Sequence, residues 1–96
     1  MPMKNPAHPG ELVRDNLKDL HLSVAEAATG LGITRQQLYK VIGGKCAITA
    51  EMALRFEKGF GGTATFWLQM QANYDLARAR EKVAAVKVAR LTPRVA

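Results

Sequence analysis

An all-α bundle of five helices is predicted by three features of this 96-residue chain. No stretch alternates apolar and polar residues over the length of a strand, and apolar residues recur at helical spacing throughout. Helix starts are announced by a hydroxyl residue followed by helix formers, with Glu or Gln three positions on in two cases. Glycines fall between these starts, where a helix can close through the left-handed region.

Taken in order, Pro9 and Glu11 suit a first helical turn, with His8 as its cap, and give a helix over 9–20. Ser23 with Glu26 opens a second over 23–30, and Thr34 with Gln37 opens a third over 34–43. Thr49 precedes a fourth over 50–59 that carries Glu51 in its first turn. Thr63 precedes a long fifth over 64–90. Gly30 and Gly32, Gly43 and Gly44, and Gly59, Gly61 and Gly62 mark the stops. The chain divides into an N-terminal extension over 1–8, one domain over 9–80 and a basic helical tail over 81–96 that frays beyond about Arg80.

Composition narrows the function. Hydrophobic residues at 48% and charged residues at 23% describe a globular chain, not a disordered one. No apolar run approaches the roughly 18 residues of a membrane span. The first residues hold no apolar signal core, and the single Cys46 has no internal disulfide partner. A cytoplasmic chain is expected. The net charge of +6 favours a polyanionic partner. It is unevenly spread: no acid lies between Glu26 and Glu51, while Arg35, Lys40 and Lys45 fall in that gap. Arg78, Arg80, Lys82, Lys87, Arg90 and Arg94 face Glu81 alone near the end.

The second and third helices have the spacing of a helix-turn-helix. Ala28 is small enough for a close crossing, Gly32 supplies the turn, Leu31 and Ile33 flank it, and Leu38, Val41 and Ile42 form the buried face of the third helix. Its other side then presents Arg35, Gln36, Gln37, Tyr39 and Lys40, which can bond to base edges or phosphates and include no acid. Lys45 is placed as a phosphate contact, and Ser23 and Thr34 stand at helix starts that can face phosphates.

His8-Pro9-Gly10-Glu11, this helix-turn-helix, GGKCAITAEMALRFEKGFG and TFWLQMQANYDLARAR together resemble the HigA-type antitoxins of the phage-repressor-like (XRE) group, over about residues 8–80. The resemblance implies a lambda-repressor-like five-helix fold and a homodimer on palindromic operator DNA. It also implies a HigB-like partner, an mRNA-cleaving ribonuclease toxin that the antitoxin blocks while repressing its own operon, and a cytoplasmic, nucleoid-associated place of action. The family's recognition positions fall on Thr34, Arg35, Gln36, Gln37 and Lys40, with Lys45 on the DNA backbone. No cofactor is implied, and the toxin-contact surface is unassigned. The tail over 81–96 departs from the resemblance.

Phe66, Trp67, Leu68, Met70, Tyr74 and Leu76 are many large groups for one terminal helix. Trp67, Met70 and Tyr74 share a face, which either closes the monomer against Leu54, Phe56 and Phe60 or meets a twin subunit. We expect a split, with Trp67, Met70, Gln71 and Tyr74 at the subunit interface. His8, His21 and Cys46 lack metal-ligand spacing, and no catalytic set is evident, so neither a metal nor an enzyme is expected. Two other readings stay open: a stand-alone regulator of the same fold without a toxin, and a basic RNA-binding adaptor. The six aromatics, mostly expected in the core, leave the adaptor few stacking platforms.

Overall fold

Every helix start is capped by the side chain before it. In the computed structural model, which describes residues 6–95, the helices are α1 (Pro9–Leu20), α2 (Val24–Leu31), α3 (Arg35–Ile42), α4 (Ala50–Phe60) and α5 (Ala64–Val83). Ser23 and Thr34 form reciprocal capping boxes with Glu26 and Gln37, and Thr49 and Thr63 accept from the backbone N–H groups of Met52 and Phe66. Each such cap is worth about 1 kcal/mol.

The apolar faces converge on one core. Val13 and Leu17 from α1, Ala27, Ala28 and Leu31 from α2, Leu38 and Val41 from α3, Ala53 and Phe56 from α4 and Trp67 from α5 are all buried, together with Ile48 in the loop before α4. α3 is seated on α1 and α2, whereas α5 packs on α4 and α1. Gly10 marks the tightest of these approaches, since a Cβ there would collide with the Val41 carbonyl. Two side chains lock the connections: Glu57 accepts from the Ala64 N–H at 2.8 Å, and Gln71 accepts from the Ile48 N–H at 2.8 Å.

Three expectations are corrected. α5 ends at Val83 and not at residue 90, and residues 86–95 have no regular structure. Beyond Tyr74 the helix has little to pack on, so it depends on propensity alone, and Val83, Val86 and Val88 weaken that. Leu54, expected in the core, is 51% exposed, because Ala53 and Phe56 already fill the inward side of α4. Trp67 and Gln71, expected between subunits, lie inside the monomer at 2% and 6% exposure. Their neighbours explain why: Trp67 meets Phe56 edge to face at 4.9 Å, and Gln71 is held by the Ile48 backbone.

His8 joins local structure to pH. Its Nδ1 accepts from the Gly10 N–H at 3.0 Å, so the buried ring is a neutral cap with its remaining proton on Nε2. Burial holds its pKa below the ordinary histidine value, against weaker upward pulls from the Cys46 backbone, Asp75 and Glu11. Acidification therefore protonates the unfolded chain first. The stabilisation is fully present above about pH 6.5 and is lost as pH falls through the folded-state pKa. Urea midpoints at pH 7.5 and 5.5 should fall more for the wild type than for His8→Asn, which keeps a capping oxygen and cannot titrate. Equal drops would remove His8 from the pH dependence.

Candidate nucleic-acid interface

The turn between α2 and α3 requires a glycine. Gly32 lies at φ 74°, and the Ile33 N–H donates to the Ala28 carbonyl at 3.0 Å across it. The turn is also held from α4. Arg55 donates through Nη1 to the carbonyls of Leu31 and Gly32 at 2.9 and 3.3 Å, and through Nη2 to Glu51 at 3.0 Å. The sequence reading missed Arg55. Its four-residue spacing from Glu51 signals an ion pair on one helix, but nothing local signals the reach to another helix's last carbonyls.

With Leu38 and Val41 buried, Arg35, Gln36, Gln37, Tyr39 and Lys40 all stand exposed on α3, and Lys45 stands exposed just beyond it. The first turn of α3 contains no acid, so its unpaired N–H groups and dipole remain open to an anion. Among the described residues the only ion pair joins Arg55 to Glu51, and Arg35, Lys40 and Lys45 have no carboxylate partner. The face is thus positive, polar and uncompensated.

The expected contacts are not equivalent. The Gln37 carboxamide oxygen accepts from both the N–H and the hydroxyl of Thr34, at 2.9 and 3.2 Å. A two-bond contact from Gln37 to adenine would break that capping box, and the Thr34 hydroxyl proton is already committed. Gln36 makes no side-chain hydrogen bond among the described residues, so both ends of its amide are free. At α2 the Glu26 carboxylate accepts from the Ser23 N–H at 3.0 Å, and this bond holds its pKa below the usual carboxylate value. An ionised carboxylate therefore sits where a phosphate at Ser23 would approach.

On α5, Tyr74 is half-buried, with its ring edge to face against His8 at 4.8 Å, and Met70 is half-buried. Phe66, Leu76 and Val83 are the large apolar groups left outside on this helix, at 51%, 49% and 53% exposure. Among the described residues no cluster of three metal-ligating side chains occurs, and no helix is long and apolar enough to cross a membrane.

No family model matches the chain. Individual proteins do. It is 43% identical over 83 residues to virulence-associated protein A' of Dichelobacter nodosus, covering 85% of this chain and 72% of that protein. An addiction module antidote protein of a HigA family from Coxiella burnetii superposes with a TM-score of 0.83 at 35% identity, over 94% of this chain and 99% of that one. The antitoxin HigA of Pseudomonas aeruginosa, solved with the higBA promoter, gives a TM-score of 0.79 at 32% identity over 84% and 89% of the two chains.

Proposed function

The chain belongs to the HigA family of helix-turn-helix antitoxins, and from that premise we propose that it binds its own operator as a homodimer and neutralises a small ribonuclease toxin. The observation that carries the DNA half is the acid-free, unpaired face of α3. The toxin half rests on the family and on the relatives named above.

On DNA, α3 enters the major groove and Gln36 reads a base through both ends of its free amide. Lys40 supplies a second base contact. Arg35, Lys45 and the α3 N-terminus hold phosphates and fix the register, with Tyr39 beside them. Thr34 and Gln37 contribute by keeping the helix start formed, and Ser23 is the weakest of the proposed contacts. A two-fold dimer sets two copies of α3 on half-sites about one helical turn apart. Its interface uses Met70 with the exposed Phe66 and Leu76, which lie within one outward arc of α5, while Tyr74 borders it. Residues 9–80 make up the working unit, acting in the cytoplasm where operator and toxin are met.

Binding of variants to the upstream region of its own gene tests this reading. Gln36→Ala should cost about 1–3 kcal/mol on the operator and relax specificity at one position. Lys45→Ala should weaken operator and random duplex alike and lower the salt slope by about one. Equal loss on both duplexes for Gln36→Ala would end its base-reading role. Co-expression with the adjacent gene should recover a stoichiometric small basic ribonuclease. Recovery of the protein alone, still bound to its promoter, would leave a regulator with no toxin.

A further inference from the structure

We propose that residues 78–94 form a basic arm that grips the phosphates of duplex DNA beside the half-site read by α3. The proposal rests on the DNA reading above and goes beyond it by assigning a second contact surface to a segment the fold leaves without a partner.

The placement begins at the loop after α3. The His8 ring lies under Gly44, 3.7 Å from where a Cβ would stand, and meets Tyr74 edge to face at 4.8 Å. The Tyr74 hydroxyl accepts from Arg78 Nη1 at 3.2 Å, and the Arg78 guanidinium lies 5.5 Å from the ring centre. Gly44, Tyr74, Asp75, Arg78 and Lys82 thus line one surface groove, next in sequence to Lys45, and its one acid, Asp75, accepts from the Gln71 amide at 2.9 Å. The positive face of α3 and its following loop therefore continues onto the second half of α5.

From there the charge runs outward. Arg78, Arg80, Lys82, Lys87, Arg90 and Arg94 are all exposed, Glu81 is the one acid among them, and none is ion-paired within the described residues. Six cations against one acid, none of them ion-paired, suit a polyanion, whereas a protein surface would have to supply acidic partners for them. Residues 84–95 extend to at most roughly 40 Å, a little more than one turn of duplex. Val88 and Leu91 are 83% and 93% exposed, so the monomer's own core does not hold this segment.

Hydroxyl-radical footprinting on a 200-base-pair fragment from upstream of the protein's own gene, with affinity measured against salt, tests the arm. The variant combines Lys87→Gln, Arg90→Gln and Arg94→Gln, exposed positions that the folded domain does not need. It should keep the central protection, lose protection over about one turn at each flank, reduce the salt slope by about two to three and bind at least tenfold more weakly. Swapping the same positions between Lys and Arg should restore the flanks. Replacing Val86, Val88 and Leu91 with Ser should leave them unchanged. Identical footprints and slopes for wild type and the Gln variant would overturn the arm, as would flank loss on the Ser variant alone. A wild type with no footprint at all would instead overturn the DNA reading itself.

Discussion

Trp67→Ala should cost about 3–5 kcal/mol of monomer stability, whatever the state of association. The side chain is 2% exposed and sits among Phe56, Phe60 and Phe66, with ring centres at 4.9, 6.1 and 6.3 Å. Removing it opens a cavity in a core built from few large groups, since much of the rest is Ala, Val and Leu. For a domain of this size that loss lowers Tm by about 12 °C or more. Trp67→Phe separates packing from polarity. The indole N–H is buried without a hydrogen-bond partner among the described residues, so phenylalanine removes an unsatisfied donor as it removes volume. Its cost should be well below that of alanine. Thermal melts at several protein concentrations check both. A Trp67→Ala variant that keeps its monomer Tm and loses only its association would return this residue to the subunit interface.

That outcome bears on what the sequence could reveal. The caps at Ser23, Thr34, Thr49 and Thr63 were legible because capping is a contact between residues three apart, and the sequence holds that distance explicitly. The outward face of α3 was legible for the same reason: once Leu38 and Val41 face inward, helical geometry assigns the rest. On α5 the pattern was ambiguous. Trp67, Met70 and Tyr74 share a side, but large apolar groups surround the helix, and only its roll against α4 decides which enter the core. That roll is fixed by Phe56 against Trp67 and by Gln71 on the Ile48 N–H, contacts between distant residues. The same limit hid Arg55, whose partners lie on α2. Gln37 differs again: its capping role was read correctly, and that role is what its side chain is committed to when a base-reading role is also assigned.

Two glycine-to-alanine changes, both within helices, should have opposite signs. At Gly30 nothing lies within 4 Å of an added Cβ and φ is ordinary, so alanine removes only the entropic weakness of glycine in α2. A gain of roughly 0.4–1 kcal/mol is expected. At Gly10, in the first turn of α1, the added Cβ instead collides with the Val41 carbonyl oxygen and falls 3.0 Å from the Ile42 Cα. Neither atom is a side-chain end that can rotate away. Relief requires α1 and α3 to move apart, and overpacking of this kind costs about 1–3 kcal/mol or more. Propensity contributes little in a first turn, so the clash wins and Gly10→Ala is destabilising. The loss reaches function because α1 is half of the seat of α3. A shifted α3 presents Gln36 and Lys40 at a changed angle, so operator affinity should fall further than affinity for random duplex, even at a temperature where the variant is fully folded. Gly30→Ala should leave both affinities unchanged. Urea denaturation and operator titration of the two variants decide the matter: equal stability would mean that the α1–α3 approach gives way freely, and unchanged operator preference would mean that α3 is oriented by α2 and Arg55 alone.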